Sequence, residues 1–223
     1  MDKMRVMLVD DHTVVRAGLR LLVNAQADME VVAEAASCED ALSRAPAARP
    51  DVLILDLSLP GGASLPLIDQ LRSAGLNLHT LVLSMHDDPA YVRAALAAGA
   101  TGYVVKTIAE KTLTDAIRAV HSGRMFVDLD DEARTASVFQ TLPRHPGPGT
   151  RAVAKLSERE VEVLRLLGQG VTNQEIADRL DLSPKTVATY KSRIADKLGL
   201  KTTADFVKFA VDTGLLGPEH EPG

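Results

Sequence analysis

The chain has 223 residues, 46% hydrophobic and 25% charged, with a mean hydropathy of +0.03, which suits one domain of ordinary size plus a smaller one and excludes disorder throughout. No apolar run nears the roughly 20 residues of a membrane span, and the start MDKMRVMLVDDH lacks the apolar core of a signal peptide, so a cytoplasmic protein with no membrane partner is expected. The net charge of −5 argues against nucleic acid only until it is divided: residues 1–130 hold 12 basic and 17 acidic side chains, whereas residues 183–201 hold Lys185, Lys191, Arg193, Lys197 and Lys201 against Asp196 alone. The lone cysteine, Cys38, leaves no intramolecular disulfide or cysteine zinc centre, and the six histidines lack ligand spacing.

In chain order, Met4–Val9, Val31–Ala35, Val52–Leu55, Thr80–Ser84 and Gly102–Val105 read as strands, with amphipathic helical stretches between them. Runs such as VLIL and TLVLS are apolar at nearly every position, as strands covered on both faces are. Five strand–helix units predict a doubly wound α/β domain on a five-stranded parallel sheet. Ligands of such sheets bind outside the carboxyl ends of the strands, where Asp10, Asp11, Asp56, Ser84 and Lys106 stand.

Converging carboxylates need a cation among them, and Mg2+ with its oxygen ligands meets that need. A phosphoryl group on Asp56 would be an acyl phosphate, its oxygens neutralised by the metal and Lys106, with the Ser84 hydroxyl placed to bond one of them and draw its loop inward. Asp11 alone also reads as the N-cap of a helix starting near His12; Asp56 and Lys106 at their own strand ends favour the pocket.

After the helical stretch Lys111–His121, the segment LPRHPGPGTRA crowds proline and glycine without apolar periodicity. The expected division is a first domain over 1–123, a linker over 124–152, a second domain over 153–217 and a tail over 218–223. The second domain shows four helical segments and no strand pattern: Glu158–Leu167, Asn173–Leu180, Pro184–Leu198 and Ala204–Asp212. Ser157 with Glu160 forms a capping box, and Ser183-Pro184 is a serine cap followed by proline at the first helical position. Only Asp181-Leu182-Ser183 separates the second and third segments, a turn length typical of helix-turn-helix units. In the third, Val187, Ile194 and Leu198, with Tyr190 beside them, mark a core face, while Lys185, Ala188, Thr189, Ser192 and Arg193 lie opposite and Lys191 between. Small side chains flanked by cations suit a helix in the major groove; the alternative is a solvated face on an ordinary bundle.

The Asp10-Asp11 pair, Asp56 within LILDLSLPGG, Ser84 within LVLSMHDD and Tyr103-Val104-Val105-Lys106 resemble, in order and at the expected strand ends, the receiver domain of two-component signalling, over about residues 4–121. LSEREVEVLRLLGQGVTNQEIADRLDLSPKTVATYKSRIADKLGLKT resembles the LuxR-type helix-turn-helix, over about 155–215. The pair of domains is that of the NarL/FixJ class of response regulators. The resemblance implies a flavodoxin-like, CheY-like receiver with Asp56 as phosphoacceptor, and Asp11, Asp56 and the Ser58 backbone carbonyl as Mg2+ ligands with Asp10 behind them. It further implies Ser84 and Tyr103 as switch residues and Lys106 as the phosphoryl contact. In the second domain it implies Ala188, Thr189 and Ser192 facing bases, and Lys185, Thr186, Lys191 and Arg193 contacting phosphates. The last helix would supply a homodimer contact on promoter DNA through Val207 and Val211, although both valines also read as packing inside. The implied partners are a sensor histidine kinase, double-stranded DNA and RNA polymerase. Two departures stand out: Thr107 follows Lys106 where many receivers have proline, and Ser64 replaces the glycine usual before Leu65.

Two other classes compete with this reading. An aspartate-nucleophile phosphatase wants a second aspartate two residues after the first, where this chain has Ser58, so no enzyme is expected. A ligand-gated or phosphorylation-independent LuxR-type transcription factor would have no use for the acidic pocket.

Overall fold

Strands that are apolar on both faces need cover on both, and the computed structural model, which describes residues 3–59, 64–129, 135, 152–153, 155–213 and 215–216, supplies it. Strands β1 (Met4–Val9), β2 (Met29–Ala35), β3 (Val52–Asp56), β4 (His79–Ser84), β5 (Gly102–Val105) and β6 (Phe126–Asp128) form one parallel sheet in the order β2-β1-β3-β4-β5-β6. The sheet has six strands rather than the expected five. The sixth pairs Phe126, Val127 and Asp128 with Gly102, Tyr103 and Val104. Three residues are too few to show an alternation, and they stand where a linker was expected.

The pleat divides the strand side chains between two layers of helices. Met7, Val9, Leu53, Leu55, Val82 and Tyr103 pack with α2 (Cys38–Ala48), α3 (Pro66–Ser73) and α4 (Pro89–Ala97). Val6, Leu8, Ile54, Leu81 and Val104 pack with α1 (Thr13–Asn24) and α5 (Glu110–His121), through Val23, Ile117 and Val120 among others. Strand order reverses between β1 and β3, so the carboxyl ends of these neighbours flank the crevice where such sheets carry their chemistry.

Further along, four helices lie among the described residues from 155 onward, α6 (Glu158–Gly168), α7 (Asn173–Leu180), α8 (Pro184–Leu198) and α9 (Thr203–Asp212). Three of them begin with reciprocal caps, Ser157 with Glu160, Thr172 with Glu175 and Thr202 with Asp205, and α8 begins with Ser183 accepting from the Thr186 amide at 3.0 Å. Each such cap is worth about 1 kcal/mol. Gly168 lets α6 and α9 cross closely: a Cβ there would lie 2.4 Å from that of Ala210. Gly199, at φ 71°, ends α8 in the left-handed conformation that glycine adopts without strain. Glu160, only 3% exposed, meets Lys197 at 2.6 Å and ties the end of α8 back to the start of α6.

The core shared with α2, α3 and α4 continues into these helices. Leu57, Leu65, Tyr91 and Ala94 line a seam with Leu156 and Val161, so α6 lies against the loop after β3 and against α4.

Candidate functional site

β1 and β3 deliver their terminal carboxylates side by side. Asp10 and Asp56 are each 1% exposed, and Lys106, from the loop after β5, reaches both, with its Nζ 3.0 Å from Asp10 Oδ2 and 2.8 Å from Asp56 Oδ2. Burial is the largest influence on the Asp56 carboxyl and holds it above the ordinary aspartate value, although the Lys106 ammonium and the Ser58 amide pull the other way. Burial disfavours the Lys106 ammonium, but its bonds to Asp56 and Asp10 outweigh that and raise it. The turn holding Lys106 and Thr107 is closed by the Ile108 amide on the Val105 carbonyl at 3.1 Å, with no proline in it. The other departure is also accommodated: Ser64 donates its hydroxyl hydrogen to the Leu57 carbonyl at 2.9 Å, while residues 60–63, where the turn itself was expected to differ, lie outside the described residues.

Asp11 caps nothing, because α1 starts after His12 without a side-chain cap. Its Oδ1 is shielded from solvent and receives no hydrogen bond, although His12 Nδ1 stands 2.9 Å away. Asp10, Asp11, His12 and Asp56 each bring a ligand atom within 4.8 Å of the others. His12 is the member the sequence did not bring forward. Ser58, whose amide donates to Asp56 Oδ1 at 3.1 Å, borders this group from the loop after β3.

Ser84 ends β4 with no exposure, and its hydroxyl oxygen accepts from the His86 amide at 3.2 Å. Tyr103 is wholly buried and donates its hydroxyl hydrogen to the His86 carbonyl at 2.7 Å; burial holds that hydroxyl neutral. The two residues expected to act together thus share one loop.

That loop has partners which sequence spacing did not connect. Glu158 on α6 accepts from the hydroxyls of Ser58 (2.8 Å) and Ser84 (3.1 Å) and stands 3.4 Å from His86 Nε2. Tyr91 stacks on His86 with centroids 4.6 Å apart and donates to the Glu158 carbonyl at 2.8 Å, and Arg165 pairs with Asp88. Burial pushes the Glu158 carboxyl up, but His86 and the two serines outweigh it and leave it below the ordinary glutamate range. The hydrogen bond to Glu158 raises His86. Sequence separations of 74 and 100 residues leave no pattern by which these contacts could have been found.

On α8, Val187 and Ile194 are fully buried, whereas Lys185, Ala188, Thr189, Ser192 and Arg193 are exposed and Thr186 and Lys191 half-buried. The Lys191 ammonium sits 5.6 Å from the Phe206 ring centroid, a cation–π distance that parks it between core and surface. Arg193, Tyr190 and Lys197 also line an open cleft of about 670 Å³ facing Leu57, Ser58 and Leu59. On α9, Val211 is 58% exposed and Val207 half-buried. Among the described residues no helix is long and apolar enough to cross a membrane.

Comparison with known proteins agrees with both halves. Residues 6–118 match the response regulator receiver domain, and residues 154–210 match the bacterial regulatory proteins of the luxR family. The oxygen regulatory protein NreC of Staphylococcus aureus is 38% identical over 215 residues, covering 96% of this chain and 99% of that protein. Among solved structures, the Salmonella typhimurium response regulator RcsB is 28% identical with a TM-score of 0.57, covering 95% of this chain and 100% of that one. RcsB has also been solved as two dimers bound to two parallel DNAs, with a TM-score of 0.58 to this chain at 28% identity and coverage of 95% and 99%. The family is one of transcription regulators rather than a class of enzymes. With a buried aspartate–lysine site at the strand ends and a helix-turn-helix behind it, the chain belongs to the NarL/FixJ family of two-component response regulators, a receiver joined to a LuxR-type DNA-binding domain.

Proposed function

We propose that a sensor histidine kinase transfers a phosphoryl group to Asp56 and that the phosphorylated receiver promotes dimerisation and sequence-specific binding of promoter DNA. The observation that carries this reading is Asp56 itself, a buried carboxylate at a strand end with an ammonium 2.8 Å away and a second buried carboxylate on the same lysine. Attack by an Asp56 oxygen forms the P–O bond as the P–N bond of the phosphohistidine breaks, the electron pair staying on the imidazole.

Asp10, Asp11 and Asp56, with the Ser58 backbone carbonyl, are the groups that would hold Mg2+, and the convergence of their carboxylate oxygens within 4.8 Å fits a cation. When bound, the ion supplies charge neutralisation for the phosphoryl oxygens. Lys106 orients the acceptor and neutralises a further oxygen, and Ser84 donates to another, with Tyr103 following through the His86 carbonyl.

DNA would meet Lys185, Thr186, Lys191 and Arg193 at phosphates and Ala188, Thr189 and Ser192 at base edges, and two copies would join through Val207 and Val211 on α9. The same reading places the protein in the cytoplasm as a receiver whose sheet ends with β6, a linker after it, a DNA-binding domain over residues 153–217 and a tail, with RNA polymerase receiving the output. Intact mass after incubation with a small phosphodonor and Mg2+, followed by sizing, tests it. Wild type should gain one phosphoryl group and shift toward dimer, and Asp56→Ala should do neither; a gain that survives Asp56→Ala removes the assignment.

A further inference from the structure

One carboxylate of the DNA-binding half is committed to the receiver's signalling loops. Glu158, the first residue of α6, holds the Ser58 hydroxyl with Oε2 and the Ser84 hydroxyl with Oε1, at 2.8 and 3.1 Å. Its side chain is 16% exposed, so solvent screens its charge poorly, and His86 Nε2 faces it at 3.4 Å. Ser58 bridges two acids: its hydroxyl donates to Glu158 and its amide donates to Asp56. The Tyr91 hydroxyl on the Glu158 carbonyl and the Asp88–Arg165 pair fasten the rest of the segment after β4 to the same helix.

A serine hydroxyl has one hydrogen to donate. The hydrogen that Ser84 gives to Glu158 is the one a phosphoryl oxygen on Asp56 would receive, and a second anion beside the same loop repels an incoming phosphoryl group. We propose that Glu158 competes with the phosphoryl group for the Ser84 hydroxyl: with α6 docked it slows phosphoryl uptake by Asp56, and phosphoryl on Asp56 takes the hydroxyl and releases α6. This rests on the response-regulator reading above and adds the residue that couples its two halves. The coupling is reciprocal, so whatever disfavours docking must favour phosphorylation. The base-reading positions stay exposed while α6 is docked. Control therefore reaches α8 through the phosphorylation site and the docking of α6, with Arg193 lining the cleft that faces Leu57, Ser58 and Leu59.

The test uses the full chain with Cys38 replaced by serine, acetyl phosphate and Mg2+, and reads the rate of phosphoryl gain by intact mass. Glu158→Ala should raise that rate about 3- to 10-fold, the range open to the net worth of one ordinary hydrogen bond. Glu158→Gln, which keeps an acceptor oxygen without the charge, should fall between it and the unmodified chain. Asp88→Cys with Arg165→Cys, bridged by a short bis-methanethiosulfonate linker, should hold α6 down and lower the rate, with recovery when a reductant removes the linker. Uptake at Asp56 that is equal or slower in Glu158→Ala, or unchanged by the bridge, overturns the competition and leaves the response-regulator reading intact. Uptake in no form of the chain, or at a residue other than Asp56, overturns both.

Discussion

Asp56 is ionised at a cost. Its carboxyl sits 1% exposed, and burial lifts it above the ordinary aspartate value despite the Lys106 ammonium 2.8 Å away. An acid raised in this way favours the folded state while protonated and loses that advantage as pH rises through its folded value, so at neutral pH the charge works against stability. Asn removes the charge and keeps the shape, while Lys106 retains Asp10 at 3.0 Å. Asp56→Asn should therefore lose phosphoryl uptake and unfold at a higher temperature, by about 1 kcal/mol or more of added stability near neutral pH. The gain should shrink on acidification toward the ordinary aspartate range. Thermal unfolding of the two proteins across that range checks this, and a lower Tm for the variant at neutral pH contradicts it. Asp10, Asp56, Ser84 and Lys106 were legible in the sequence because each follows an apolar run, and the parallel sheet brings the ends of such runs together. Glu158 and His86 were not, because their meeting depends on how two separately patterned halves pack, which no local periodicity encodes.

Among the elements, the strongest sequence signals were the ones with their own chemistry. α8 begins where Ser183-Pro184 dictates and ends at Gly199, and its buried Val187 and Ile194 leave the opposite face to solvent. β6 shows the reverse: three residues gain strand character only from the β5 edge beside them. The division of labour proposed for α8 makes a prediction at this scale. Arg193, taken as a phosphate contact, should on replacement by alanine weaken all duplexes alike and reduce the slope of log affinity against log salt by about 1. Ser192→Ala, at a position taken as base-facing, should leave that slope unchanged and cost about 1–3 kcal/mol on a site selected from random duplexes but not on unrelated DNA. Titration of both variants at several salt concentrations separates the two roles. Equal slopes for Arg193→Ala and wild type would remove Arg193 from the phosphate contacts.

For the whole molecule, the contact between its halves carries a titratable group at physiological pH. His86 faces Glu158 at 3.4 Å, with Glu162, Asp88 and the Arg165 paired to Asp88 around it and Tyr91 stacked on its ring. Its hydrogen bond to Glu158 raises it above the ordinary histidine value. A base raised on docking stabilises the docked form fully below its undocked value, and that contribution fades as pH rises through the docked value. Docking of α6 should therefore weaken as pH rises from the ordinary histidine range upward. Energy transfer between fluorophores at Glu110→Cys and Lys208→Cys, two exposed positions in opposite halves, reports it in a chain whose Cys38 is serine. Transfer should change across that range in the parent chain and stay level in His86→Gln, whose side chain cannot take up the proton. The same change in both proteins would place the titration elsewhere and leave the His86–Glu158 contact as packing alone.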